Sequence, residues 1–350
     1  MRLSYQGLRL ERVRASRQWR DGVFRNTAPV GPGLKSSPLP LLGEFFFSGA
    51  ERTPRAALPL SDPRPAWARA PQTGLRLTWL GHSTVLLELD GARVLTDPVF
   101  GERASPLSFA GPRRFHPVPV ALSELPPLDL VVLSHDHYDH LCRDTMAALA
   151  RMSVPIVTAL GVGARLEALG IDARRITELD WHESTQVGPL RVTAAPSQHF
   201  SGRAVGDRNH TLWASWVLEG LRHKVYFSGD TGLTDEFRSI GERYGPFDLV
   251  MLEVGAWNEA WGDIHLGPKN ALRAFDMLGG GALLPVHWGT FNLALHAWDE
   301  PVETLLAEAG GRRIVTPGLG RVVELAHVEG ATPWWRELSA ERSGCLVSGT

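Results

Sequence analysis

Between Leu133 and Leu141 the chain reads LSHDHYDHL, so His135, Asp136, His137, Asp139 and His140 fall within six consecutive positions. They follow the apolar run Leu128-Asp129-Leu130-Val131-Val132-Leu133, which reads as a buried strand. Buried imidazoles and carboxylates are costly unless something pairs with them. A single His-x-His is compatible with a polar turn, but His-x-His-x-Asp-His calls for matching donors elsewhere. Three stand at comparable places: His199 in AAPSQHF, Asp230 in VYFSGDTG and His287 in LLPVHWGTF. Each follows an apolar strand-like run, where an α/β sheet presents its loops. Singly they could be a loop histidine, a helix N-cap and a core histidine. Taken together with the first cluster, they read as a metal site.

Imidazoles and carboxylates without thiolates suit Zn2+, with iron or manganese as competitors. Seven donors exceed the needs of one catalytic zinc, which keeps a coordination position open. Two metal ions per chain are therefore the economical reading. Such a pair activates a bound water and clamps both oxygens of an in-line displacement, so no serine or cysteine nucleophile is required. Asp97, in LTDP, is a candidate acceptor for the N–H of a ligating histidine, with a turn residue before proline as the alternative. His82, in GHST, reads as structural.

The elements that must position these groups begin near residue 75. LRLTWL, TVLLEL and ARVLTD read as short strands separated by Gly81-His82-Ser83 and Asp90-Gly91 turns. LDLVVLS, VPIVTAL, LRVTAAP, LWASWVLE, KVYFSGD, FDLVMLEV and ALLPVH continue the strand pattern. Helical stretches at Arg143–Arg151, GARLEAL, Asp235–Arg243, Pro268–Leu278 and Val302–Ala309 lie between or after them. Mixed hairpins and strand-helix crossovers predict an α/β fold, two sheets sandwiched between helical layers in an αββα four-layer sandwich. The expected organisation is a basic, proline-rich N-terminal arm (1–73), a hydrolase domain (74–330) and a C-terminal tail (331–350).

The arm carries Arg2, Arg9, Arg12, Arg14, Arg17, Arg20 and Arg25, nine prolines from Pro29 to Pro71, and the apolar cluster Leu39–Phe47. It reads as loop-rich. Either it packs on its own domain, or its basic and aromatic residues touch an anionic membrane surface. With 350 residues, a net charge of −2 and 43% hydrophobic residues, the chain has no overall charge drawing it to nucleic acid. No apolar run approaches the roughly 20 residues that span a bilayer, and the N-terminus lacks the apolar core of a secretory signal. Only Cys142 and Cys345 are present, which fits a reducing compartment. The expected location is cytoplasmic, with peripheral membrane contact as a variant.

The chain resembles the metallo-β-lactamase superfamily, and within it the N-acylphosphatidylethanolamine-hydrolysing phospholipases D. The resemblance runs from about Leu75 to Pro317 through WLGHSTV, LTDPVF, RASPLSFAGPRRF, SELPPLDLVVLSHDHYDHL, ELDW, PSQHF, SGDTG, YGPFD, GAW and HWGTF. It implies that His135, His137 and His199 hold one metal, that Asp139, His140 and His287 hold the second, and that Asp230 bridges both. It also implies a substrate-orienting or acid–base role for His265, in GAWNEAWGDIHLGP. Asp139 and His265 are thus the candidate catalytic residues. Trp257, Trp261, Trp288 and Phe291 could line an apolar channel or be simple core. Arg113, Arg114 and Arg203 are candidates to meet a phosphate.

The expected partner is a phospholipid or other small phosphodiester, with a homodimer as a further expectation and no nucleic acid. The implied reaction releases N-acylethanolamine and phosphatidate. Other readings are a lactonase of the same fold, a nuclease, or a metal-dependent binding or regulatory protein without catalysis.

Overall fold

The computed structural model describes residues 5–30, 50–204, 206–258, 261 and 263–338. The apolar cluster Leu39–Phe47 and Cys345 lie outside them. Turn chemistry starts the architecture. Strand β3 (Leu75–Gly81) returns as β4 (Thr84–Leu89), which returns as β5 (Ala92–Thr96) across Asp90-Gly91. Both turn residues are left-handed, with φ of +47° and +91°, as a two-residue hairpin requires. From β5 the chain changes to crossovers, and β6 (Leu130–Leu133), β7 (Ile156–Ala159) and β8 (Ile176–Leu179) add in parallel. A late strand, β15 (Val322–Glu324), pairs antiparallel with β3 and completes seven strands in the order β15-β3-β4-β5-β6-β7-β8.

The second sheet repeats this logic. Strands β9 (Ser184–Val187), β10 (Leu190–Ala195), β11 (Ser215–Glu219) and β12 (Lys224–Phe227) pair antiparallel in succession. Then β13 (Leu249–Glu253) and β14 (Ala282–Val286) add in parallel. Helix Gly267–Met277 packs on β13 and against helices Glu236–Tyr244 and Glu300–Ala307, while Gly163–Ala168 packs beside β8. Strands β3, β4, β6, β7, β13 and β14 are buried along their whole length, as strands covered on both faces must be. The result is an α/β sandwich of two mixed sheets flanked by helices.

Three features go beyond what the sequence shows. Strands β9 and β15 do not stand out in the sequence. The STQV of β9 alternates exposed and half-buried positions on a sheet edge, without an apolar face. The arm is not loop throughout: it forms helix Gly7–Ala15 and a hairpin of β1 (Trp19–Arg20) with β2 (Val23–Phe24). Residues 331–338, the described part of the C-terminal tail, pack on the domain. Trp335 is fully buried and meets Trp288 edge-on at 5.2 Å, while Trp288 stacks on Trp79 of β3 at 5.1 Å. Aromatic burial of this size anchors the segment to the core. Among the described residues, no helix is long and apolar enough to cross a membrane.

Candidate metal centre

All seven predicted donors converge at the C-terminal ends of β6, β10, β12 and β14. The loop after β6 brings His135, His137, Asp139 and His140; the loops after β10 and β12 bring His199 and Asp230; His287 directly follows β14. His135, His137, His199 and Asp230 form one donor group. His135 Nε2 and His199 Nε2 lie 2.8 and 3.3 Å from His137 Nδ1, and both lie 3.8 Å from Asp230 Oδ2. Opposite, His140 Nε2 and His287 Nε2 approach the same Asp230 Oδ2 at 3.1 and 3.2 Å, and Asp139 Oδ2 at 3.5 and 3.2 Å. A single carboxylate oxygen therefore faces imidazole nitrogens of both groups.

Proton bookkeeping tests whether a cation fits. Ser134 Oγ donates to Asp97 Oδ2 at 2.5 Å, so it accepts from His135 Nδ1 at 2.9 Å. His199 Nδ1 donates to Ile264 O at 2.8 Å, and His140 Nδ1 donates to Asp97 Oδ2 at 2.7 Å. Each of these rings thus spends its Nδ1 proton outward and turns Nε2 toward the common centre, as a lone pair on His135 and His199 and, in the metal-free chain, as a second proton on His140 that a metal must displace. Asp230 Oδ1 is buried without a hydrogen-bond partner. Lone pairs aimed at one point in a dry interior repel unless a cation sits among them. Bonds of 2.0–2.2 Å in a tetrahedral zinc site place neighbouring donors about 3.3–3.6 Å apart, and the separations above scatter around that value. The donors suit one or two metal ions, with zinc, iron or manganese all compatible with a nitrogen and oxygen set.

The two halves differ electrostatically. Burial disfavours charge on every imidazole, and it leaves His135, His137 and His199 below the usual histidine range. In the other half carboxylates overcome burial. The charges of Asp230 and Asp139 hold His140 well above its ordinary value and lift His287 to about 10. Burial also opposes ionisation of Asp230, yet His140 and His287 keep it well below the carboxylate range.

The outer contacts are equally specific. Asp97, fully buried at φ +31°, also accepts Ser134 N–H at 2.7 Å, so one carboxylate orients His140 directly and His135 through Ser134. Replacing Asp97 by alanine should weaken metal affinity about 10–100-fold, measured by competition with a chromogenic chelator. His82, left-handed at φ +53°, places Nε2 3.1 Å from Asp139 Oδ2 and so serves as its donor. Burial and the neighbouring His287 lower the His82 pKa to about 3, which keeps that ring neutral. His287 itself sits at φ +64°. Strained backbone collects where function over-determines geometry.

His265 enters the same cleft, its ring 5.1 Å from that of His199 and 5.5 Å from that of His287. Its Nδ1 meets Glu253 Oε2 at 2.7 Å. Glu253, the last residue of β13, is fully buried, and its Oε1 accepts Thr231 N–H and Leu266 N–H at 2.8 and 3.1 Å. It escaped the sequence reading; the one signal was an acid ending the apolar run Leu249–Leu252. The three arginines proposed for phosphate are otherwise engaged. Arg113 pairs with Glu102 at 2.6 Å, Arg114 donates to Val99 O at 2.9 Å beneath Phe291, and Arg203 lies 3.9 Å over Tyr138 and donates to Asp136 O at 2.6 Å. Of the aromatics, Phe291 lies 5.2 Å from His82 and Trp261 lies 6.3 Å from His265, whereas Trp288 belongs to the core stack.

Fold and donor set define a metal-dependent hydrolase of the metallo-β-lactamase type. The chain belongs to this superfamily: a family profile described as the beta-lactamase superfamily domain matches residues 92–288. An uncharacterized protein of Mycobacterium tuberculosis is 48% identical over 329 residues, covering 92% of this chain and 88% of the relative. That share exceeds what the chain after residue 73 can supply, so part of the arm is matched too. The N-acyl-phosphatidylethanolamine-hydrolyzing phospholipase D 1 of Caenorhabditis elegans is 40% identical over 234 residues, covering 63% of this chain and 66% of that protein. An isothiocyanate hydrolase from Delia radicum gut bacteria shares the fold at a TM-score of 0.58 and 24% identity, over 71% of this chain and 98% of that one.

Proposed function

We propose that the protein is a phosphodiesterase of the phospholipase D type. On this reading it hydrolyses a phospholipid such as N-acylphosphatidylethanolamine to phosphatidate and N-acylethanolamine. The observation that carries the proposal is the Glu253–His265 pair set beside a seven-donor centre that shares Asp230. The likeness to the C. elegans phospholipase supports the substrate class.

His135, His137 and His199 would hold one ion, Asp139, His140 and His287 the other, with Asp230 between them. When bound, two such ions would acidify a water and neutralise charge developing on the phosphoryl oxygens. Asp97, Ser134 and Ile264 O keep the ligand tautomers fixed, so no reorganisation is needed during reaction. Glu253 fixes His265 with Nδ1 protonated and frees Nε2 for the substrate. Burial alone would lower the His265 pKa, but Glu253 raises it above the ordinary value. The ring is thereby suited to protonate the ethanolamine oxygen as its bond to phosphorus breaks.

His265→Ala should lower turnover of the lipid about 100-fold while elemental analysis still finds both metals. Label from isotopic water should appear in phosphatidate, because attack falls on phosphorus. The metal-loaded protein should be offered lipid phosphodiesters, lactones and RNA in parallel. Ready lactone opening with every lipid phosphodiester left intact would overturn the substrate class and leave the hydrolase assignment standing.

A further inference from the structure

Asn26 lies in the arm, far from the donors in sequence, yet its amide meets both backbone groups of His199. Asn26 Nδ2 donates to His199 O at 2.8 Å, and Asn26 Oδ1 accepts His199 N–H at 3.0 Å. Trp213 Nε1 donates to the same Oδ1 at 3.1 Å and to Ser197 O at 2.9 Å. A side chain that pairs with the N–H and the C=O of one residue does what a neighbouring strand does in a ladder. It does so where the chain has already left β10. The His199 ring is fixed separately through Ile264 O, so backbone and ring are pinned from different elements.

The arm that delivers Asn26 is itself firmly seated. Arg9 Nε meets Glu178 Oε2 at 2.5 Å and Arg9 Nη2 meets Glu167 Oε1 at 2.6 Å; Arg12 pairs with Glu183 and donates to Glu178 O at 2.7 Å. Val13 and Phe24 are fully buried, and Phe24 N–H donates to Asn209 O at 2.7 Å. The hydrolase domain leaves room for it. A Cβ at Gly161 would lie 2.5 Å from the Tyr5 hydroxyl oxygen, and one at Gly163 would lie 2.8 Å from Arg9 Nη2. These contacts seat the arm on the domain and set the direction from which Asn26 approaches His199.

We propose that the N-terminal arm is a working part of the metal centre, with Asn26 as the positioning residue that sets His199 and hence the three-histidine group. The inference rests on reading His199 as a metal ligand. It is tested on the full-length protein, stripped of metal and titrated with Co2+ against a competing chelator, with the visible Co2+ spectrum reporting ligand geometry. Thermal unfolding of the metal-free chains is followed alongside. In Asn26→Ala one Co2+ equivalent should bind about tenfold or more weakly, with an altered spectrum, and the other should bind as in the unaltered chain. Asn26→Asp keeps the acceptor but sets an oxygen against His199 O, so it should lose at least as much.

Two unchanged equivalents with an unchanged spectrum in both variants would overturn the proposal, even where the melting temperature falls. That outcome would reduce Asn26 to a fastener of the arm. Failure of the unaltered chain to take up any Co2+ would instead overturn the metal reading, and this inference with it.

Discussion

Asp230→Asn is expected to strip the protein of most of its metal and to lower hydrolysis by roughly three orders of magnitude. The change preserves shape, so the effect isolates charge. Asp230 Oδ2 lies within 3.8 Å of four imidazole nitrogens drawn from both donor groups. Its loss removes the carboxylate that completes the donor group of His135, His137 and His199, and leaves Asp139 as the carboxylate facing His140 and His287. Metal assistance to a phosphoryl transition state amounts to several kcal/mol, and each 1.36 kcal/mol is tenfold in rate. Elemental analysis and turnover should be measured on the same preparation. Full occupancy with unchanged turnover would remove Asp230 from the centre.

The second large effect is in pH. In the metal-free protein His140 and His287 keep protons at neutral pH, because Asp230 and Asp139 raise them against burial, His287 to about 10. An ion entering that group must displace those protons. Its apparent affinity should therefore rise with pH by up to about a hundredfold per unit below the raised pKa values, one decade for each proton released. His135, His137 and His199 are held below the ordinary value, so they are neutral in the same range and an ion there releases few protons. Calorimetric titration from pH 6 to pH 8 should resolve one nearly flat equivalent and one steep one. The stability of the metal-free chain has the matching sign. The His287 contribution is complete below the unfolded value near 6.5 and fades as pH rises towards about 10. Two equivalents with the same pH slope would mean that the halves are not charged as described.

Much of the centre was legible in the sequence because parallel strands deliver their chemistry at one end. His135, His199, Asp230 and His287 each follow an apolar run, and strand ends in an α/β sheet gather on one edge. Asp97 was legible for the same reason, since it follows β5 as His135 follows β6. Glu253 is the last residue of β13, and an acid among six apolar neighbours looked like ordinary strand. The hairpin of the arm was announced by Asp21-Gly22, both left-handed at φ +53° and +80°, but two strands of two residues show no period to read. Asn26 had no local signal at all. Its partners are backbone groups of His199, which are the same whatever the sequence, and the distant indole of Trp213. The partners of Arg113, Arg114 and Arg203 were hidden for a related reason: they are a carboxylate, carbonyl oxygens and aromatic faces, which no local pattern encodes.

The donors divide between the two sheets. His135, His137, Asp139 and His140 follow a strand of the first, while His199, Asp230 and His287 follow strands of the second. Ions held by both sets would be rivets through the seam of the sandwich, adding to the packing and to hydrogen bonds that already cross it, such as Ala214 N–H on Ser134 O and the Asp90 carboxylate on His223. A rivet of this kind adds stability by mass action, about 4 kcal/mol when free metal exceeds its dissociation constant a thousandfold. The catalytic ions would then also set how readily the halves of the molecule part, and the lifetime of the folded chain would follow the metal supply of its surroundings.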